Sequence, residues 1–331
     1  MQIIDYNAIE KNTLFFKKIL HDSKLCAVLK NNAYGHGLTR VARHIAHLVD
    51  CFAVGSVDDA KELSFLRKDV LILLPQNARN TERAIKCNAI LTVDSFDTLF
   101  LVDSVARRLH TNARIHVKID SGMSRLGFNK AQMMQLTQML NSSNVTVEGV
   151  FSHFYGDTQI DCDKQLTYFS QCCSQIEKCC QISPIRHIAN TSATLLSDKY
   201  HLDMARIGLG LYGYGEPNLQ PAKTVTADVI AVKQVDKGSV VGYGAKYTCE
   251  KPTQIVVLNV GYATGLPRTL VGAKVKIAEQ YCSVVAICMA MTLVDTGETK
   301  ISVGDVATLL STEVDMANDE VIIYELLCNL Q

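Results

Sequence analysis

The residues with the clearest chemical potential lie in the run LCAVLKNNAYGHG, residues 25–37. An apolar, strand-length segment leads straight into Lys30, which is followed by Asn-Asn-Ala-Tyr-Gly-His-Gly. A lysine at a partly desolvated strand end loses its proton readily and can form a Schiff base with a carbonyl compound. The competing reading is an ordinary snorkelling lysine. Four more polar groups stand at or near the ends of strand-like runs: Arg125 in VKIDSGMSRLGF, His153 in GVFSHF, Asn190 in IRHIAN and Arg206 in DMARIGLGLYG. Each alone reads as structural sooner than functional. Placed on neighbouring strands, they would converge on one mouth.

One motif is refused. Gly208, Gly210 and Gly213 match G-x-G-x-x-G, with Asp228 downstream. The dinucleotide fingerprint needs a helix opening within the glycines. Here Tyr214-Gly215-Glu216-Pro217 follows, and the proline argues against that helix.

The elements that must position these groups alternate. Strands are expected at 25–29, 52–55, 70–74, 90–93, 115–119, 147–152, 185–189 and 204–208. Helices fall between several of them, as at 130–140 and 163–182, and the first helix follows Asp5 with Ile9, Phe16, Ile19 and Leu20 inward. Eight such alternations predict a (β/α)8 barrel of the TIM type within α/β architecture. The prolines of GEPNLQPAK mark a linker. Beyond it, β-branched runs at 224–232, 255–260, 273–277 and 284–289 predict a β-rich domain. The expected domains are 1–220 and 221–331.

Composition narrows the class. The chain has 331 residues, 48% hydrophobic, with 33 basic and 33 acidic side chains. This composition lies outside the disordered range, and zero net charge argues against a nucleic-acid scaffold. The stretch 281–294 is too short for a membrane span, which needs about 20 apolar residues. No basic-then-apolar leader opens the sequence, so no secretory signal is expected. Twelve cysteines, without paired C-x-x-C spacing, read as reduced thiols of a cytoplasmic protein with no metal site.

The motif LKNNAYGHG closely resembles the cofactor-attachment motif of alanine racemases, which use pyridoxal 5′-phosphate (PLP). The resemblance extends through VKIDSGMSRLGF, VEGVFSHF, HIANTSAT, MARIGLGLYG, VGYGAKYT, VGYATG, ICM and IIYELLC, in order across almost the whole chain. It implies that Lys30 is the PLP lysine and one catalytic base, and that Tyr243 is the second base. Two bases suit a reaction that removes a proton from one face of a planar centre and returns one to the other. The resemblance places His153 beside the pyridine ring, Arg206 on its nitrogen, and Arg125 near the cofactor oxygen and substrate carboxylate. It makes Tyr34 a phosphate contact, Asn190 part of the cofactor set, and Thr191, Gly208, Leu209 and Tyr324 the groups around the phosphate. Met289 matches the residue whose amide holds the substrate carboxylate.

Tyrosine, with an ordinary pKa of about 10, is a poor base at neutral pH. The family places a histidine–arginine chain behind it, for which His153 and Arg206 qualify. Arginine does not surrender its proton, so Arg206 would leave the ring nitrogen unprotonated and disfavour transamination. The resemblance also implies a homodimer in which Tyr243 reaches the neighbouring subunit's cofactor, interconversion of L- and D-alanine, and supply of D-alanine for peptidoglycan. Lys118 matches a lysine carbamylated in some members.

Ala286 and Ala290 depart from the usual G-R-I-C-M-D, Thr264 from G-Y-A-D-G, and Thr191 from a serine. The chain ends seven residues after Tyr324, where members usually continue with a basic, proline-containing tail. The alternatives are a serine or broad-specificity racemase, a PLP decarboxylase of the same architecture, and a non-catalytic PLP carrier. The basic Arg206 argues against the decarboxylase, and Tyr243 with the β domain argues against the carrier.

Overall fold

The computed structural model describes residues 1–318 and 320–330. The chain forms two compact units: Ile9–Ala33 with Gly37–Leu219, and Met1–Ala8 with Tyr34–His36 and Gln220–Gln331. Residue 220 is where the chain passes for good into the second unit, to which its first eight residues also belong.

In the second unit the short edge strand β1 (Gln2–Ile4) pairs with a later strand described below. The first unit carries eight parallel strands: β2 (Lys24–Val28), β3 (Cys51–Val54), β4 (Asp69–Ile72), β5 (Ile90–Val93), β6 (Ala113–Lys118), β7 (Val145–Phe151), β8 (Ile185–His187) and β9 (Met204–Ile207). They run in the order β8-β7-β6-β5-β4-β3-β2-β9. Beyond the ends of that order, Asp203 N donates to Arg186 O (3.2 Å) and Arg206 N to Ala189 O (3.1 Å). The sheet is barrel-like, as the sequence predicts. Several of its strands are short apolar runs because both faces are covered; all four residues of β5 are buried.

Helix starts fix the loops at the carboxyl rim. Ser56, Ser95, Thr158 and Asn190 each accept a hydrogen bond from the backbone N–H three residues on. Such caps satisfy donors that the helix leaves orphaned, and each contributes about 1 kcal/mol. Most stand within a few residues of a strand end, so they also hold the turns that carry strand-end side chains.

The remaining strands of the second unit are β10 (Lys223–Val235), β11 (Val240–Val241), β12 (Tyr247–Thr248), β13 (Thr253–Leu258), β14 (Lys274–Ile277), β15 (Gln280–Ile287), β16 (Thr292–Asp295) and β17 (Val306–Leu310). The main sheet is antiparallel, ordered β1-β10-β13-β16-β15-β14-β17, and β17 pairs back onto β10. This is the expected β-rich domain. The sequence reading did not find β1, β16 or β17, each five residues or fewer. Among the described residues no helix is long and apolar enough to cross a membrane.

A buried lysine secures the end of this unit. Lys223 Nζ donates to Leu327 O (2.7 Å) and Leu330 O (2.6 Å), at the close of helix Ile323–Asn329. Gly35, at φ +76°, lies against the same Leu327 carbonyl, where a Cβ would sit 2.3 Å from the oxygen. Lys223→Ala removes the donor from two buried carbonyls and is expected to lower unfolding stability by about 3 kcal/mol in urea denaturation.

Candidate active site

Lys30 follows β2 by two residues and opens a turn of unusual hand. Asn31, Asn32, Ala33 and Tyr34 all have φ between 53 and 54°, and Gly35 has φ 76°. Left-handed helical geometry costs about 1–2 kcal/mol per ordinary residue, and asparagine tolerates it best. The turn is anchored within the first unit. Ala33 N donates to Leu29 O (2.9 Å), Gly37 N to Asn32 O (3.0 Å) and Leu38 N to Asn32 Oδ1 (2.8 Å). Strain held this firmly is characteristic of functional sites. The Asn-Asn pair was its one trace in the sequence, and period-based reading does not detect handedness.

Arg206 is the electrostatic centre of the first unit. Its guanidinium is buried, and among the described residues its hydrogen-bond partners include no carboxylate. Nη2 donates to Ser152 O (2.7 Å), Ile188 O (3.2 Å) and His153 Nδ1 (3.2 Å), while Nη1 donates to His187 Nδ1 (2.9 Å). Arginine has donors only, so both imidazoles present an unprotonated Nδ1 to it. Burial lowers the Arg206 pKa to about 10, which leaves it a cation at neutral pH.

His153 shows which groups meet here. Its pKa is pushed down to about 2, first by burial and then by the charges of Arg206, Lys118, Arg125 and Lys30. It is therefore a neutral imidazole, hydrogen-bonded to Arg206 and within the field of three further basic side chains. All four lie at or just beyond carboxyl ends of barrel strands, the end at which such barrels carry their sites. Lys118 is buried as well, with its ammonium 4.4 Å from the centre of the Phe151 ring.

Side-chain caps order the nearby backbone. Asn190 caps helix Thr191–Leu196 through its side chain. The Thr191 hydroxyl accepts from Gly208 N (3.3 Å) and Gly210 N (3.2 Å). Leu209 opens a short 3-10 turn, Leu209–Tyr212, that ends at Gly213. The glycine run therefore opens no long helix, consistent with refusing the dinucleotide motif.

The other candidates belong to the second unit. Tyr34 is buried, with its ring 5.9 Å from that of Tyr324, which is 41% exposed, and burial is the leading cause raising both phenol pKa values. Tyr243 follows Gly242 and is 85% exposed, while Met289 is 61% exposed. Tyr243 lines a cleft of about 600 Å³ with Tyr262, Arg268, Ala286 and Cys288. The Thr264 departure has a local explanation: its hydroxyl donates to Gly261 O (3.0 Å) and accepts from Gly261 N (3.3 Å).

The chain matches the model of the alanine racemase N-terminal domain over residues 4–216 and of the C-terminal domain over residues 222–331. It belongs to the alanine racemase family. This is a family of isomerases. The chain is 34% identical to the alanine racemase of Cutibacterium acnes, covering 95% of this chain and 88% of that protein. It is 33% identical to alanine racemase 2 of Oceanobacillus iheyensis, covering 96% and 86%. The crystal structure of alanine racemase from Streptomyces lavendulae superposes with a TM-score of 0.93 at 29% identity, covering all of this chain and 94% of the other.

Sequence reading missed His116 and His187. For His116 the signal was a polar residue at alternate positions of an apolar strand, Ile115-His116-Val117-Lys118. Lys118 also yields a prediction. Burial first, then Arg206 and Arg125, lower its pKa from 10.5 to about 7. Between these values the unfolded chain holds a proton that the folded chain releases, so stability rises with pH across that window. In bicarbonate-free buffer, Lys118→Met should flatten this rise and increase the thermal midpoint at pH 7 and below.

Proposed function

We propose that this chain is a PLP-dependent racemase that interconverts L- and D-alanine by a two-base mechanism. It acts as a cytoplasmic homodimer with shared sites and supplies D-alanine for peptidoglycan. The observation that carries the reading is a buried Arg206 beside the neutral His153, with Lys30, Arg125 and Lys118 bearing on the same imidazole.

The donor set fits PLP. An excess of cations suits an anionic cofactor, and Arg206 is a donor able to meet a ring nitrogen without giving up its proton. Lys30 would be the attachment point. Arg206 would hold the ring nitrogen, and His153 would lie beside the ring. Asn190, Thr191, Gly208, Leu209, Tyr34 and Tyr324 would surround the remaining cofactor and its phosphate. When bound, PLP supplies an electron-withdrawing ring that acidifies the substrate's α C–H.

The side chains then divide the proton work. Lys30 moves the α-proton on one face, and Tyr243 of the partner subunit does so on the other. His153 accepts from Arg206 at Nδ1, so its Nε2–H is left to donate toward the phenol oxygen and favour the phenolate. Arg125 and the Met289 amide would hold the substrate carboxylate. The high exposure of Tyr243 supports a role met outside its own protomer.

Shared sites predict complementation. Lys30→Ala and Tyr243→Ala proteins should each be inactive, whereas random subunit exchange should restore about a quarter of wild-type activity, since half the dimers carry one intact site. No recovery after proven exchange contradicts shared sites. Because Ala286 removes a charge that family members usually carry, serine is the informative competitor. A higher kcat/KM for alanine than for serine is expected, and the reverse order would replace the substrate while leaving the chemistry.

A further inference from the structure

His187 and His116 form a hydrogen-bonded line behind Arg206, inside the barrel. Arg206 Nη1 donates to His187 Nδ1 (2.9 Å), and His187 Nε2 lies 2.9 Å from His116 Nδ1. Both imidazoles are buried. The direction of the line is forced. Arginine can only donate, so the neutral His187 carries its proton on Nε2 and gives that hydrogen bond to His116 Nδ1. His116 must then carry its own proton on Nε2. That atom is buried and has no partner among the described residues. An unsatisfied buried donor is a cost that a purely structural core would shed by placing an apolar side chain there.

The surroundings are shaped around this line. Gly149 on β7 has no Cβ where one would stand 2.7 Å from three atoms of the His116 ring. The β6–β7 register shifts between Ile115 and His116, a local irregularity of the kind that re-aims a side chain. Phe151 stacks on His187 with the planes 2° apart and centroids 5.0 Å apart, and the Arg206 guanidinium lies 5.4 Å from the same ring. His187 is thus held in plane by Phe151 and along its axis by Arg206 and His116.

We infer that His116 is a positioning residue for the racemase site, acting through His187 to orient the Arg206 guanidinium. The inference rests on the reading of Arg206 as the partner of the cofactor ring nitrogen. By accepting the His187 proton, His116 strengthens the acceptor that His187 presents to Arg206. Two neutral imidazoles therefore occupy the place where a carboxylate counterion would otherwise pin the arginine. The guanidinium keeps its charge and its aim without an anion that would draw it away from the ring nitrogen.

The test combines ring-nitrogen NMR of the holoenzyme with two substitutions. In the wild type, His116, His153 and His187 should each show a protonated Nε2 and an unprotonated Nδ1 at neutral pH. His116→Asn places Oδ1 where Nδ1 stood and should keep kcat within about twofold of wild type, whereas His116→Leu should lower kcat about tenfold with KM little changed, the scale of one hydrogen bond to a charged network. In the leucine variant the His187 Nδ1 resonance should move toward that of a nitrogen lacking a hydrogen bond, and the asparagine variant should restore it. An Nδ1-protonated His187, a leucine variant with wild-type kcat, or equal losses in both variants would overturn the inference. If the wild type lacks racemase activity, the function reading fails, and the tautomers and the His187 resonance still decide the relay.

Discussion

Everything at the mouth of the barrel answers to the burial of Arg206. A guanidinium out of water demands acceptors, and the structure meets it with two backbone carbonyls and two imidazoles. Because arginine cannot accept, it dictates the protonation of every group around it. His153 and His187 stay neutral, with the causes of their lowered pKa values led by burial and then by Arg206. The result is a local excess of positive charge, an environment suited to an anionic cofactor and an unprotonated ring nitrogen. A carboxylate beside the same ring would reverse that preference.

The second constraint is backbone strain. Four successive non-glycine residues after Lys30 hold left-handed geometry, which the chain sustains only because bonds to Leu29 and from Gly37 and Leu38 over-determine the turn. The candidate attachment lysine is thereby tied to a rigid feature. The second unit is built in a different way. Its last helix, which carries Tyr324, is held by Lys223 and close packing at Gly35, and Tyr243 and Met289 are exposed.

The barrel was legible because most of its strands are short buried runs, so apolar blocks bounded by polar turns marked them to within a residue or two; β7 and β8 are buried only toward their carboxyl ends. The second domain was legible only in part; β1 has three residues and leaves no period to read. Strand-end polar residues pointed to Lys30, Arg125, His153, Asn190 and Arg206, and the resemblance supplied their roles. The left-handed turn, the His187–His116 line and the Lys223 clamp depend on handedness, tautomer and long-range contact. None of these follows from local spacing. Thr264, a departure by family pattern, became intelligible once its hydroxyl was seen closing the Gly261 turn.

The central claim is that these side chains move the α-proton of alanine between two faces. Incubation of the purified holoenzyme with L-alanine in deuterated water tests it most directly. The account predicts D-alanine bearing deuterium at the α-carbon, with exchange also entering the L-alanine pool. Binding of PLP with no α-exchange and no D-alanine would contradict it and favour a cofactor carrier.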